Sequence, residues 1–175
     1  MKQAYINMRK FWLDVTNLEN RKGVIEVGPD RISVAGIEMA MQDGTERKHL
    51  FLGTNSLGDS SLYFENNSKS GLGGVIGGHG YEALQTAAAH MLGHASKLTS
   101  QMQALPAGSD LPELSSSENV CLFAVSKEKL FYVELKESEV RKPENIFYPF
   151  FAYSQQTIGF FRAQEAQATT KEAHF

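Results

Sequence analysis

The sequence predicts an α+β fold: an antiparallel sheet of hairpins, a long central helix, and N- and C-terminal helices, in one domain spanning residues 1–175. Three observations carry this. Short β-branched and aromatic runs follow one another across turn residues instead of alternating with helices, which implies antiparallel pairing. Apolar residues recur every three or four positions in two longer stretches, the period of an amphipathic helix. Apolar residues make up 42% of the chain and charged residues 21%, so 175 residues suffice for a globular core burying roughly 70% of the unfolded surface.

Tyr5, Met8, Phe11, Trp12, Val15 and Leu18 place a helix over residues 3–18. Val24 to Val27 is a short β-branched run, closed by the turn residues Gly28, Pro29 and Asp30. Residues 32–41 form the next strand. Its apolar alternation changes parity near Gly36, and a bulge there would return Ile32, Val34, Ile37 and Met39 to one face. Asp43-Gly44 is a type I′ hairpin signal leading into residues 45–52, and Ser61 to Glu65 is a fourth strand. The glycine-rich segment Gly71 to Gly80 reads as a loop. Residues 81–105 carry Tyr81, Leu84, Ala88, Met91, Leu92, Ala95, Leu98 and Met102 at helical spacing. After a loop over 106–119, Val120 to Val125 is apolar on both faces and reads as a central strand. Leu130 to Leu135 alternates, the aromatic run 145–153 reads as a strand, and 155–168 as a last helix. Profilin-like and type III secretion chaperone-like domains have a comparable order of elements, with no shared motif.

The formal charge of −3 and pI near 6.0, with Lys and Arg dispersed among acids, predict no nucleic-acid partner. No run of about 18 apolar residues predicts a membrane span. The N-terminus shows no apolar secretory segment, and the single Cys121 lies within an apolar strand as a structural thiol. A cytoplasmic setting fits these features.

Catalytic motifs are missing from the sequence. The glycine-rich segment has Tyr81 and Glu82 where a phosphate loop needs lysine and a hydroxyl, and no cofactor is predicted. Gly53 to Gly58 has the wrong spacing for a nucleophile elbow. His90 and His94, four apart on the central helix, could share a metal, and they define the alternative reading of a metal-dependent hydrolase. A third ligand and a base are not apparent, because Met91 stands where the zincin pattern has glutamate.

Two features point instead to contact, with a protein partner or with a second copy of the chain. The central helix carries only Glu82 and Lys97 as formal charges, so its back face is expected to be covered, either by a terminal helix or by a partner. Aromatic residues crowd positions 147–161. Phe147 and Phe150 there, with Leu72, Val75 and Ile76 in the glycine segment, are the predicted partner anchors. The function expected is that of a non-enzymatic protein-binding module: a chaperone, an adaptor or an immunity-type inhibitor.

Overall fold

The computed structural model describes residues 3–16, 31–43, 45–65, 72–77 and 80–172. Helix α1 (Gln3–Leu13) precedes a meander of four strands: β1 (Val34–Asp43), β2 (Glu46–Asn55), β3 (Ser60–Glu65) and β4 (Leu72–Ile76). Helix α2 (Glu82–Leu98) follows and tightens into a 3-10 turn at Thr99–Gln101. Then come β5 (Gln103–Pro106), β6 (Asn119–Val125), β7 (Lys129–Lys136), the short α3 (Glu137–Val140) and the long α4 (Tyr148–Glu172). All strands join one antiparallel sheet in the order β4-β3-β2-β1-β6-β7-β5. The predicted α+β class is the class observed.

Both faces of the sheet are covered, and the strand sequences show why. In β6, Val120, Leu122 and Ala124 point to one face, while Cys121, Phe123 and Val125 point to the other. Every one of them is at most 2% exposed. The first face packs against α2 and α4 through Leu84, Met91, Ala95, Phe150, Ile158 and Phe161. The second is closed by α1 through Tyr5, Trp12 and Leu13, and by Leu111 and Leu114 from the segment between β5 and β6. A strand buried on both sides gains nothing from polar alternation.

That burial corrects the reading of Gly36. The β1–β2 ladder runs without interruption from Val34↔Asn55 through Gly36↔Gly53 to Asp43↔Glu46, so no bulge is present. Ala35 and Ile37 face α2 while Val34 and Ala40 face α1, and the change of apolar parity reflects two buried faces. The hairpin joins Asp43 to Glu46 across two residues, one position later than the Asp43-Gly44 signal placed it. Gly44 itself lies outside the described residues, as does the run Val24 to Val27.

Three other segments differ from expectation. The glycine-rich stretch is not all loop, because Leu72–Ile76 is an edge strand on β3. Gly74 is needed there: a Cβ would sit 2.5 Å from the Leu62 carbonyl oxygen. The central helix stops early, and Gln103–Pro106 crosses to the opposite edge to pair with β7. Lastly, the aromatic run is helical. Asn145 Oδ1 accepts the Phe147 amide at 2.9 Å, and Pro149 occupies the first helical turn, where its missing N–H costs no hydrogen bond. Phe147, Phe150, Phe151, Ile158 and Phe161 then form one buried stripe at steps of three, one, seven and three.

Candidate functional site

Of the predicted anchors, Phe147 and Phe150 are 6% and 0% exposed, packed between α4 and the sheet. As placed, they are core residues with no surface for a partner, which is a correction to their predicted role. Leu72, Val75 and Ile76 lie along β4, paired with Glu65, Leu62 and Ser61 of β3. Their side chains fall outside the described residues.

His90 and His94 lie on α2 beside α4, and what the fold brings to them is Tyr153. The Tyr153 ring stacks on His90 at 4.6 Å with the planes 7° apart, and on His94 at 5.7 Å and 23°. Among the described residues, no group of three or more His, Cys, Asp or Glu side chains could hold a metal ion. Partial burial lowers the His94 pKa below the usual imidazole range, helped by the nearby Lys97 and His90. His94 should therefore titrate below a solvent-exposed imidazole when its ring protons are followed by NMR. A midpoint above the ordinary value would mean that a carboxylate, and not Tyr153, is its neighbour.

The expected cover over α2 is only partial. Helix α4 covers one flank, where Tyr81 meets Phe160 edge-on at 5.2 Å and Tyr153 stacks as above. The outermost line of the helix, through Glu82, Thr86, Ala89, Gly93 and Lys97, stays exposed. From Ala83 to Ser96 it carries no Asp, Glu, Lys or Arg. One groove runs along it beside Tyr153 and Gln156 of α4. Another runs along its other side, between Gln85, Leu92 and Ser96 and the turn Asn55 to Gly58 that joins β2 to β3. Nothing lies within 4 Å of the position a Gly93 Cβ would take. The surface is thus a smooth, weakly polar ridge bordered by two channels.

A second constellation, which the sequence reading missed, lies on the opposite side of the sheet. Glu38, in the middle of β1, is 1% exposed. Its carboxylate takes an ion pair from Arg9 at 2.9 Å and a hydrogen bond from the Tyr5 hydroxyl at 3.1 Å. His49 Nδ1 lies 3.9 Å away, and the His49 amide donates to Glu65 Oε2 at 3.0 Å. Arg9 also donates to the carbonyls of Leu111 and Pro112, at 2.7 and 3.3 Å. Burial pushes the Glu38 carboxyl above the usual carboxylate range, with Arg9 and the Tyr5 hydrogen bond opposing it. Burial, then the Glu38 charge, likewise raises Tyr5 and the Cys121 thiol, which pairs with Glu38 across β1 and β6 and is held protonated.

The geometry is that of a clasp. One guanidinium ties α1 to the central strand and to the segment that follows β5. Arg9 is 4% exposed and Tyr5 is fully buried, so the Arg9–Glu38 contact is sealed under α1. Two signals in the sequence pointed here: a glutamate inside the apolar run Ile37-Glu38-Met39, and an arginine four residues after Tyr5 on the buried stripe of α1.

Among the described residues, no helix is long and apolar enough to cross a membrane. No protein-family model, curated protein or solved structure matches the chain.

Proposed function

We propose that this chain is a non-enzymatic protein-binding module whose contact surface is the outer ridge of α2. The exposed, charge-free run between Glu82 and Lys97 carries the proposal. A helix side that faces water permanently is normally populated by Lys and Glu, because only charge offsets the exposed apolar flank. Here most of the exposed positions, Ala83, Thr86, Ala89, Gly93 and Ser96, carry small side chains that lose little conformational entropy when covered, with Gln85 and His90 as the larger ones. The stacked His90–Tyr153 pair beside the ridge supplies rigid aromatic area of the kind that anchors protein contacts.

A photo-crosslinking residue at position 89, as Ala89→p-benzoylphenylalanine, tests the reading in intact cells. The side chain at this position is exposed, so the fold should tolerate the change. Irradiation is expected to give a discrete adduct, suppressed when Gly93→Arg is added. The absence of any adduct would reject the ridge as a protein-binding surface.

A further inference from the structure

We infer that the occupant of the α2 ridge is a second copy of this chain, packed antiparallel on it about a two-fold axis. The inference rests on the protein-binding reading and names its partner. Charge complementarity carries it. The ridge is bounded by one acid and one base, Glu82 at its start and Lys97 at its end, about 22 Å apart along the helix. An axis passing between Ala89 and His90 sets Glu82 of one copy opposite Lys97 of the other, and symmetry repeats the pair. The same axis sets Thr86 opposite Gly93, so Thr86 of each copy meets a position with no side chain. Parallel packing would instead oppose Glu82 to Glu82 and Lys97 to Lys97, which like-charge repulsion disfavours.

Both charges are available for this role. Among the described residues neither Glu82 nor Lys97 has an ion-pair partner, whereas Arg9, Lys10, Arg141 and Lys142 each have one. Open space at Gly93 lets a second helix approach closely. The two channels that flank the ridge leave room for the side chains of a facing helix.

Charge reversal decides the matter. Sedimentation equilibrium of the purified chain, from micromolar to millimolar concentration, is expected to show a monomer–dimer equilibrium. Glu82→Lys and Lys97→Glu should each raise the dimer Kd about tenfold or more, because each leaves like charges facing across the axis. Mixing the two variants should restore association, since each then offers the charge that the other lacks. Circular dichroism of each variant checks that α2 still folds.

A wild-type chain that stays monomeric throughout would overturn the inference. So would a dimer indifferent to both reversals, or one that mixing fails to restore. The Ala89 crosslink separates this failure from that of the broader reading. An adduct of twice the chain mass supports the second copy. An adduct with a different protein overturns it while leaving the ridge a protein-binding surface, and no adduct overturns both.

Discussion

Arg9→Ala is expected to lower folding stability by about 3–5 kcal/mol, the usual cost of stranding one member of a buried ion pair. The deficit should also grow with pH. Glu38 has a folded-state pKa raised from its ordinary value of 4.5. Its contribution to stability is therefore fully present below that value and is lost as pH rises through the folded pKa. Arg9 opposes the rise, so removing it pushes the carboxyl further up and widens the window on the alkaline side. Urea denaturation at about pH 5 and about pH 8 should show the larger loss at the higher pH. A deficit that does not vary with pH would mean that Glu38 is not the group Arg9 serves. Replacing both partners by apolar residues, Arg9→Met with Glu38→Leu, should recover most of the loss, since no charge then remains to be buried.

Gly36→Ala should be nearly as damaging, at about 2 kcal/mol or more, for reasons of space. A Cβ at Gly36 would lie 2.0 Å from the Leu52 carbonyl oxygen and 2.4 Å from the Phe123 ring, and the first of these is backbone that cannot swing aside. Its ladder partner Gly53 is different. A Cβ there meets the Trp12 ring first, at 2.6 Å, so α1 can yield and the expected cost falls to about 1–2 kcal/mol. Fluorescence distinguishes the two, because Trp12 is the only tryptophan in the chain. Gly53→Ala should shift its emission to the red as the indole is levered off the sheet. Gly36→Ala should cost more stability with little spectral change. Equal shifts in both variants would show that the two glycines are not separate contacts.

The elements legible in the sequence were those whose local pattern and tertiary burial agree. In β7, Phe131, Val133 and Leu135 alternate with Leu130 and Tyr132, and the strand is where alternation placed it. In α2, Leu84, Ala88, Met91 and Ala95 form the stripe that packs on the sheet. Misreadings arose where one signal had two physical causes. A parity change can mean a bulge or a strand buried on both sides, and β1 is the second case. Aromatic residues favour strands in general, yet the spacing of Phe147, Phe150, Phe151 and Ile158 is helical, and Pro149 suits a helix start. Glycines read as loop because they weaken a strand, while Gly74 is required by the close approach of β4 to β3. The clasp was hidden for another reason. Glu38, Arg9 and the Leu111 carbonyl become neighbours only when α1 and the segment after β5 close over one side of the sheet.

The strand order has a consequence for how the chain folds. β1 to β4 pair with their sequence neighbours, and β6 pairs with β7, so each group can assemble soon after it is synthesised. The two groups meet only where β1 pairs with β6, from Val34 with Val125 to Met39 with Val120, across about half the length of the chain. Until β6 emerges from the ribosome, the early meander has a bare flank at β1, with both of its sides apolar. Such a flank readily recruits strands from other chains. The first four strands are thus committed early but protected late, and the interval between them is when this protein is most exposed to aggregation. Slow pairing over so long a loop should dominate its refolding rate.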